Sequence, residues 1–275
     1  MKITVVNFQK SEVGLYARLV KDIVSQEFSE LNHSFDELRI FMGNSDDIRN
    51  GLYMKQVEVF LGYTEAVGFG GEVFELRSCA NPPKALIGIN LSIFETYEKW
   101  KQKLSIRHEC CHLLHFEREP EEFTRLLKNY PENFLNVLLH FQHEYCAHFC
   151  VIHRCPDDWV IEPVGFSKTI QSPSVLYHMT KANKGTKAAF QVSIQNIIHL
   201  LSILYLYESL PTGLKSKVKK KKKVATVHLA KFLQAMKTDL RIVLPVPEKW
   251  LAPEDFLSSK AYIEKVQKIL ALVSC

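Results

Sequence analysis

His108 and His112 stand four residues apart in the run Ile106-Arg107-His108-Glu109-Cys110-Cys111-His112-Leu113-Leu114-His115. On a helix that spacing puts both imidazoles on one face, one turn apart. Two nitrogens so placed can share one zinc ion at about 2.0–2.1 Å each. Glu109 lies about 100° further round the helix than His108, where its carboxylate can reach a water on the metal without being a ligand. Zinc lowers the pKa of such a water towards about 7, and a carboxylate alongside can take its proton and deliver it to a leaving amine. The residues therefore read as an H-E-x-x-H motif with His108 and His112 as zinc ligands and Glu109 as the base of a hydrolase.

A catalytic zinc usually takes a third protein ligand. The register H-E-x-x-H-x-x-G-x-x-H fails, because His115 stands at the glycine position and Arg118 at the last histidine. Glu144 lies 32 residues after His112, inside Gln142-His143-Glu144-Tyr145-Cys146-Ala147-His148-Phe149, a separation that fits a helix–loop–helix hairpin. Ala147 is small and would let two helices approach closely. Glu144 is the favoured third ligand. His140 and His148 flank it at i−4 and i+4 on the same face and stand as the alternatives.

These two segments resemble the ImmA/IrrE-like zinc peptidases. Ile106 to His115 is similar to that family's H-E-x-x-H-x-x-x-H segment, and Glu144-Tyr145-Cys146-Ala147-His148-Phe149-Cys150 to its E-x-x-A-x-x-F/A helix. The resemblance covers about residues 85–155. It implies zinc held by His108, His112 and Glu144, with Glu109 as base. It also implies a zincin-like core, meaning a small mixed sheet with an active-site helix and a ligand helix, and a protein substrate that is a regulatory protein. The chain departs from the family at Cys111, where glycine is usual, and in Val151-Ile152-His153-Arg154-Cys155-Pro156, which keeps only the proline of the usual ending.

Other side chains nearby have narrower readings. His115 continues the His108–His112 stripe by one turn and is expected to pack or to hydrogen-bond behind the ligands. His143, Tyr145 and His148 could stabilise the oxyanion formed during hydrolysis. Cys146, Cys150 and Cys155 lack a common zinc-site spacing and read as small buried hydrophobes. Cys110 and Cys111 read the same way.

The elements that must position these residues follow from periodicity. Strands are predicted at 3–8, 37–42, 55–63, 71–77 and 85–91, with a helix at 12–31 after the first and a turn at Gly68-Phe69-Gly70-Gly71. The strand at 85–91 directly precedes the motif helix and could serve as a sheet edge on which an extended substrate pairs. Helices are predicted near 95–117, 120–129, 133–153, 187–209, 225–240 and 255–272. Strands first and helices later give an α+β chain: a zincin-like metallopeptidase domain over 1–165 and a helical C-terminal region over 166–275.

The 275 residues are 47% hydrophobic, enough for a sizeable core. The net charge of +5 is local, because seven lysines lie between Lys215 and Lys223 and the remaining 28 basic residues face 30 acidic ones. That run is expected to be an exposed loop that could contact nucleic acid or an acidic partner, and it lacks the interleaved aromatics of a base-stacking surface. Seven cysteines without repeated spacing, and no signal-peptide pattern, point to a cytoplasmic chain with free thiols. The uncharged stretch Ala188–Tyr207 carries too many polar residues for a comfortable membrane span and reads as a core helix. The sequence thus reads as a zinc-dependent metallopeptidase. The alternative is a non-catalytic interaction or regulatory protein on the same scaffold.

Overall fold

Alternation along two strands sets the layering of the first half of the chain. In β2 (Glu37–Gly43), Leu38, Ile40 and Met42 point to one face and Phe41 to the other. In β4 (Lys84–Asn90), Ala85, Ile87 and Ile89 share the first face and Leu86 the second. Period-two side-chain placement on a sheet buried on both sides produces this pattern. The computed structural model describes residues 1–7, 13–30, 33–62, 73–118, 132–161, 173–240 and 246–271. The chain groups into two compact units, Met1–Arg118 and Glu119–Cys275. The fold class is α+β.

The first unit holds a four-stranded mixed sheet in the order β1-β2-β4-β3. β1 (Lys2–Asn7), β2 and β4 run parallel, and β3 (Leu76–Asn81) pairs antiparallel with β4. One face is covered by α1 (Val13–Glu30) and, later in the chain, α5 (Lys99–Arg118). Val20, Ile23, Val24 and Phe28 of α1 and Ile106, Cys110, Leu113 and Leu114 of α5 share a core with Ile40, Ile87 and Ile89. The other face is covered by α2 (Ser45–Arg49), α3 (Leu52–Gln56) and a π-helical turn (Val57–Leu61), through Ile48, Tyr53, Val57, Phe60 and Leu61. The short α4 (Leu91–Phe94) follows β4 directly.

Three expectations change here. Of the strand expected at 55–63, the described residues 55–62 are not a strand. Val57, Phe60 and Leu61 are buried while Val59 is 72% exposed, so the apolar spacing is i, i+3, i+4 rather than alternating. β3 begins at Leu76 rather than 71, where its register across the Pro82–Pro83 turn starts with Leu76 opposite Ile89. The strand predicted at 85–91 lies inside the sheet, between β2 and β3, so it offers no free edge; β3 is the edge strand on that side. The turn at 68–71 and the helix at 120–129 fall outside the described residues.

Gly88 has a packing reason. A Cβ there would stand 2.4 Å from the ring of Tyr53, which is buried. Gly88→Ala is expected to destabilise the protein by about 1–3 kcal/mol through overpacking. Urea midpoints of the two proteins check this, and equal midpoints would show that the ring gives way freely.

The second unit is helical. α6 (Glu132–Arg154) and α7 (Pro156–Ile161) are followed by α8 (Pro173–Ser209), which is interrupted at Gly185 with φ 85°. The Ala188–Tyr207 stretch lies in α8, with Phe190, Ile194, Ile197, Ile198 and Leu201 buried among its neighbours. By length and composition alone α8 could cross a membrane, although 61% of its most apolar window is buried inside the protein. α9 (Thr212–Lys215) and α10 (Lys219–Leu240) follow, then α11 (Pro253–Leu257) and α12 (Ser259–Ala271).

The lysine run is not a loop. Lys219 to Lys223 form the first turns of α10, and Val218 just before them is buried. Positive charge at a helix N-terminus opposes the helix dipole. Partners offset part of this: Lys215 and Lys222 meet Glu208, Lys217 lies 3.6 Å from Asp157, and Lys221 Nζ donates to the Val160 carbonyl at 3.4 Å. The Lys222 hydrogen bond, helped by Lys215, holds the Glu208 carboxyl below its usual range.

His199 of α8 lies against the Phe141 ring at 4.7 Å. Burial, aided by the nearby His140, pulls its pKa from 6.5 down to about 4. Unfolded chains therefore take up a proton here below pH 6.5 that folded chains refuse until about pH 4. The stabilising preference for neutral His199 is complete above pH 6.5 and is lost as pH falls towards about 4. In metal-free protein, the stability of the wild type should fall more steeply across that window than that of His199→Phe. Parallel denaturation profiles would count against it.

Candidate metal centre

α5 carries two faces with different work. Ile106, Cys110, Leu113 and Leu114 form the core stripe, while His108 and His112 lie roughly 120–200° round the helix from it at 100° per residue. The core stripe therefore holds the helix against the sheet and turns both imidazoles away from it. Their Nε2 atoms are 2.9 Å apart, with the rings edge to face at 4.5 Å between centroids. Two ring nitrogens so close either share a proton or share a cation. Two zinc bonds of about 2.0–2.1 Å at a tetrahedral angle span roughly 3.3 Å, close to this separation.

Glu109 is buried between the histidine face and the core stripe. Its charge is a minor addition to the burial that raises the Cys79 thiol and the Tyr53 hydroxyl. Arg107, just before the motif, places its Nε 3.0 Å from the carboxylate of Glu27, which is buried in α1. This ion pair ties α5 to α1 one residue from His108. His115 is half-buried at the far end of the histidine stripe.

α6 is divided in the same way. Leu138, Gln142 and Tyr145 face the C-terminal helices. Gln142 Nε2 donates to the Phe256 carbonyl at 3.3 Å and to Ser259 Oγ at 3.2 Å, and Tyr262 donates to the Leu138 carbonyl at 2.7 Å. Cys146 donates to the Phe256 carbonyl at 2.7 Å, and burial pushes its thiol up to about 12. About 200° away lie His140, Glu144 and His148. Glu144 is partly exposed, with His140 Nδ1 4.0 Å from one carboxylate oxygen and His148 Nε2 3.8 Å from the other.

His108, His112 and Glu144 together could hold a metal ion. Each offers one ligand atom, and those atoms all lie within 4.8 Å of one another. No cysteine joins a group of this kind among the described residues. Of the other residues read from the sequence, His148 lies beside Glu144. Tyr145 is buried in an aromatic cluster, its ring 4.5 Å from that of Phe256, with burial raising its hydroxyl well above the ordinary range. His143 sits on α6, one residue before Glu144.

Glu27 and Trp159 escape a reading of the sequence. Trp159, in α7, donates its indole N–H to His148 Nδ1 at 3.0 Å. Neither residue stands at a helical interval from the group it supports, so only tertiary packing reveals them.

No protein-family model matches this chain, and neither a curated protein nor a solved structure shows significant similarity to it.

Proposed function

We propose that this chain is a zinc-dependent metallopeptidase that hydrolyses peptide bonds of a protein substrate, on a zincin-like core of the ImmA/IrrE-like kind. One observation carries the reading: two imidazole nitrogens 2.9 Å apart on consecutive turns, with a buried carboxylate at the intervening Glu109. His108, His112 and Glu144 make a two-nitrogen, one-oxygen donor set of the kind that leaves a zinc ion one open position. Bound there, zinc would supply a Lewis acid that polarises the scissile carbonyl and acidifies water.

The chain's own residues do the rest. Glu109 takes a proton from the attacking water and passes it to the leaving nitrogen. The Glu27–Arg107 pair holds the helix that aims both imidazoles. β3 lies at the edge of the sheet beside α5, so an extended peptide could add to it by backbone pairing.

The test is metal analysis of the purified full chain. One zinc per chain is expected in the wild type and a near-complete loss in His112→Ala. Zinc content near zero in the wild type, or unchanged in the variant, would sink the assignment.

A further inference from the structure

We infer that Trp159 is a positioning residue: it fixes the tautomer of His148, so that His148 turns its Nε2–H towards the Glu144 carboxylate and does not serve the proposed centre as a metal ligand. The inference rests on the zinc reading above for its functional meaning. It rests on the geometry of α6 and α7 alone for its chemistry.

Glu144 has a histidine one turn to either side, and the helical interval cannot tell the two apart. The structure can. His140 is 66% exposed, with its Nδ1 4.0 Å from the carboxylate. His148 is 25% exposed and presents Nε2 to the carboxylate at 3.8 Å, while its Nδ1 faces the indole nitrogen of Trp159 at 3.0 Å. Trp159 is fully buried, and its ring meets Tyr207 edge to face at 6.1 Å, so the indole direction is set by packing.

An indole nitrogen donates and never accepts. The Nδ1 it contacts must therefore present a lone pair. In a neutral imidazole with its lone pair on Nδ1, the proton sits on Nε2. A protonated Nε2 has no in-plane lone pair left for a metal, so His148 is not the third ligand. It turns an N–H towards the carboxylate of Glu144, 3.8 Å away, a charge–dipole contact longer than a hydrogen bond. A polar group so placed beside a ligating carboxylate helps to orient it, and disturbing such an outer partner weakens metal binding by about 10–100-fold.

The test is nitrogen-15 NMR of the histidine rings in the full-length, metal-free chain, with His148 assigned by its loss in His148→Gln. The wild type should show an unprotonated Nδ1 and a protonated Nε2. Trp159→Phe keeps the ring and removes the donor, and it should shift His148 to the averaged signals of exchanging tautomers. Zinc titration of that variant should show affinity about 10–100-fold weaker than the wild type. A protonated Nδ1 in the wild type overturns the inference whether or not the variant folds. So does a wild-type pattern retained in Trp159→Phe, or an altered tautomer with unchanged zinc affinity. The ring measurement needs no metal. Failure of the zinc reading would therefore appear as missing zinc in a protein with the expected tautomer, and failure of this inference as the wrong tautomer in a protein that still binds zinc.

Discussion

Glu109→Gln is expected to leave the zinc content of the protein unchanged and to lower the rate of peptide hydrolysis by about 10²–10⁴-fold. Glutamine has the volume of glutamate and keeps the packing of a residue that is buried on α5. It cannot accept a proton from water, so only the acid–base step is removed. The comparison needs both readouts, metal content by elemental analysis and turnover of a protein substrate by mass spectrometry of the products. Zinc retained with hydrolysis intact would show that Glu109 is not the base. A cellular phenotype that survives the substitution would favour the rival reading, in which a zincin-like scaffold works by interaction alone.

The second large effect concerns stability. Arg107→Ala leaves the Glu27 carboxylate, 1% exposed, without its guanidinium at 3.0 Å. Removing one partner of a buried ion pair costs about 3–5 kcal/mol. The loss here should fall towards the lower end, near 3 kcal/mol, because Arg107 itself is 23% exposed. Replacing both residues by apolar ones, as in Glu27→Leu with Arg107→Met, should recover much of that loss, since no charge is then stranded. Denaturant unfolding of the single and double variants measures the difference. A single variant as stable as the wild type would show that water reaches Glu27 and replaces the arginine.

The arrangement of the motif helix was legible in the sequence because its determinants are local. The i, i+4 spacing of His108 and His112 and the opposed stripe Ile106, Cys110, Leu113, Leu114 are both visible in nine consecutive residues. The α+β order and the strands β1, β2 and β4 were legible for a similar reason, as short apolar runs bounded by breakers, while their parallel pairing was not. Segment 55–63 was misread because Val57, Val59, Phe60 and Leu61 are all apolar, and only burial shows that Val59 is exposed. The lysine run was misread because like-charge repulsion argues for a loop, whereas Glu208, Asp157 and a buried Val218 come from the fold. The edge position of β3 could not be read, because strand order is a property of the sheet and not of any one strand.

The bonds that anchor α6 also bear on when the protein could become competent during synthesis. Gln142, Cys146 and Leu138 are joined to residues 110 to 124 positions further along the chain. Contacts of such sequence separation form late, because a long loop must close before they are rewarded. The unit that carries His108 and His112 is complete by Arg118. The helix that carries Glu144 gains these hydrogen bonds only when residues 256–262 have left the ribosome. A nascent chain would then hold its histidine pair early, and the helix that carries Glu144 would be fastened only once residues 256–262 have been made.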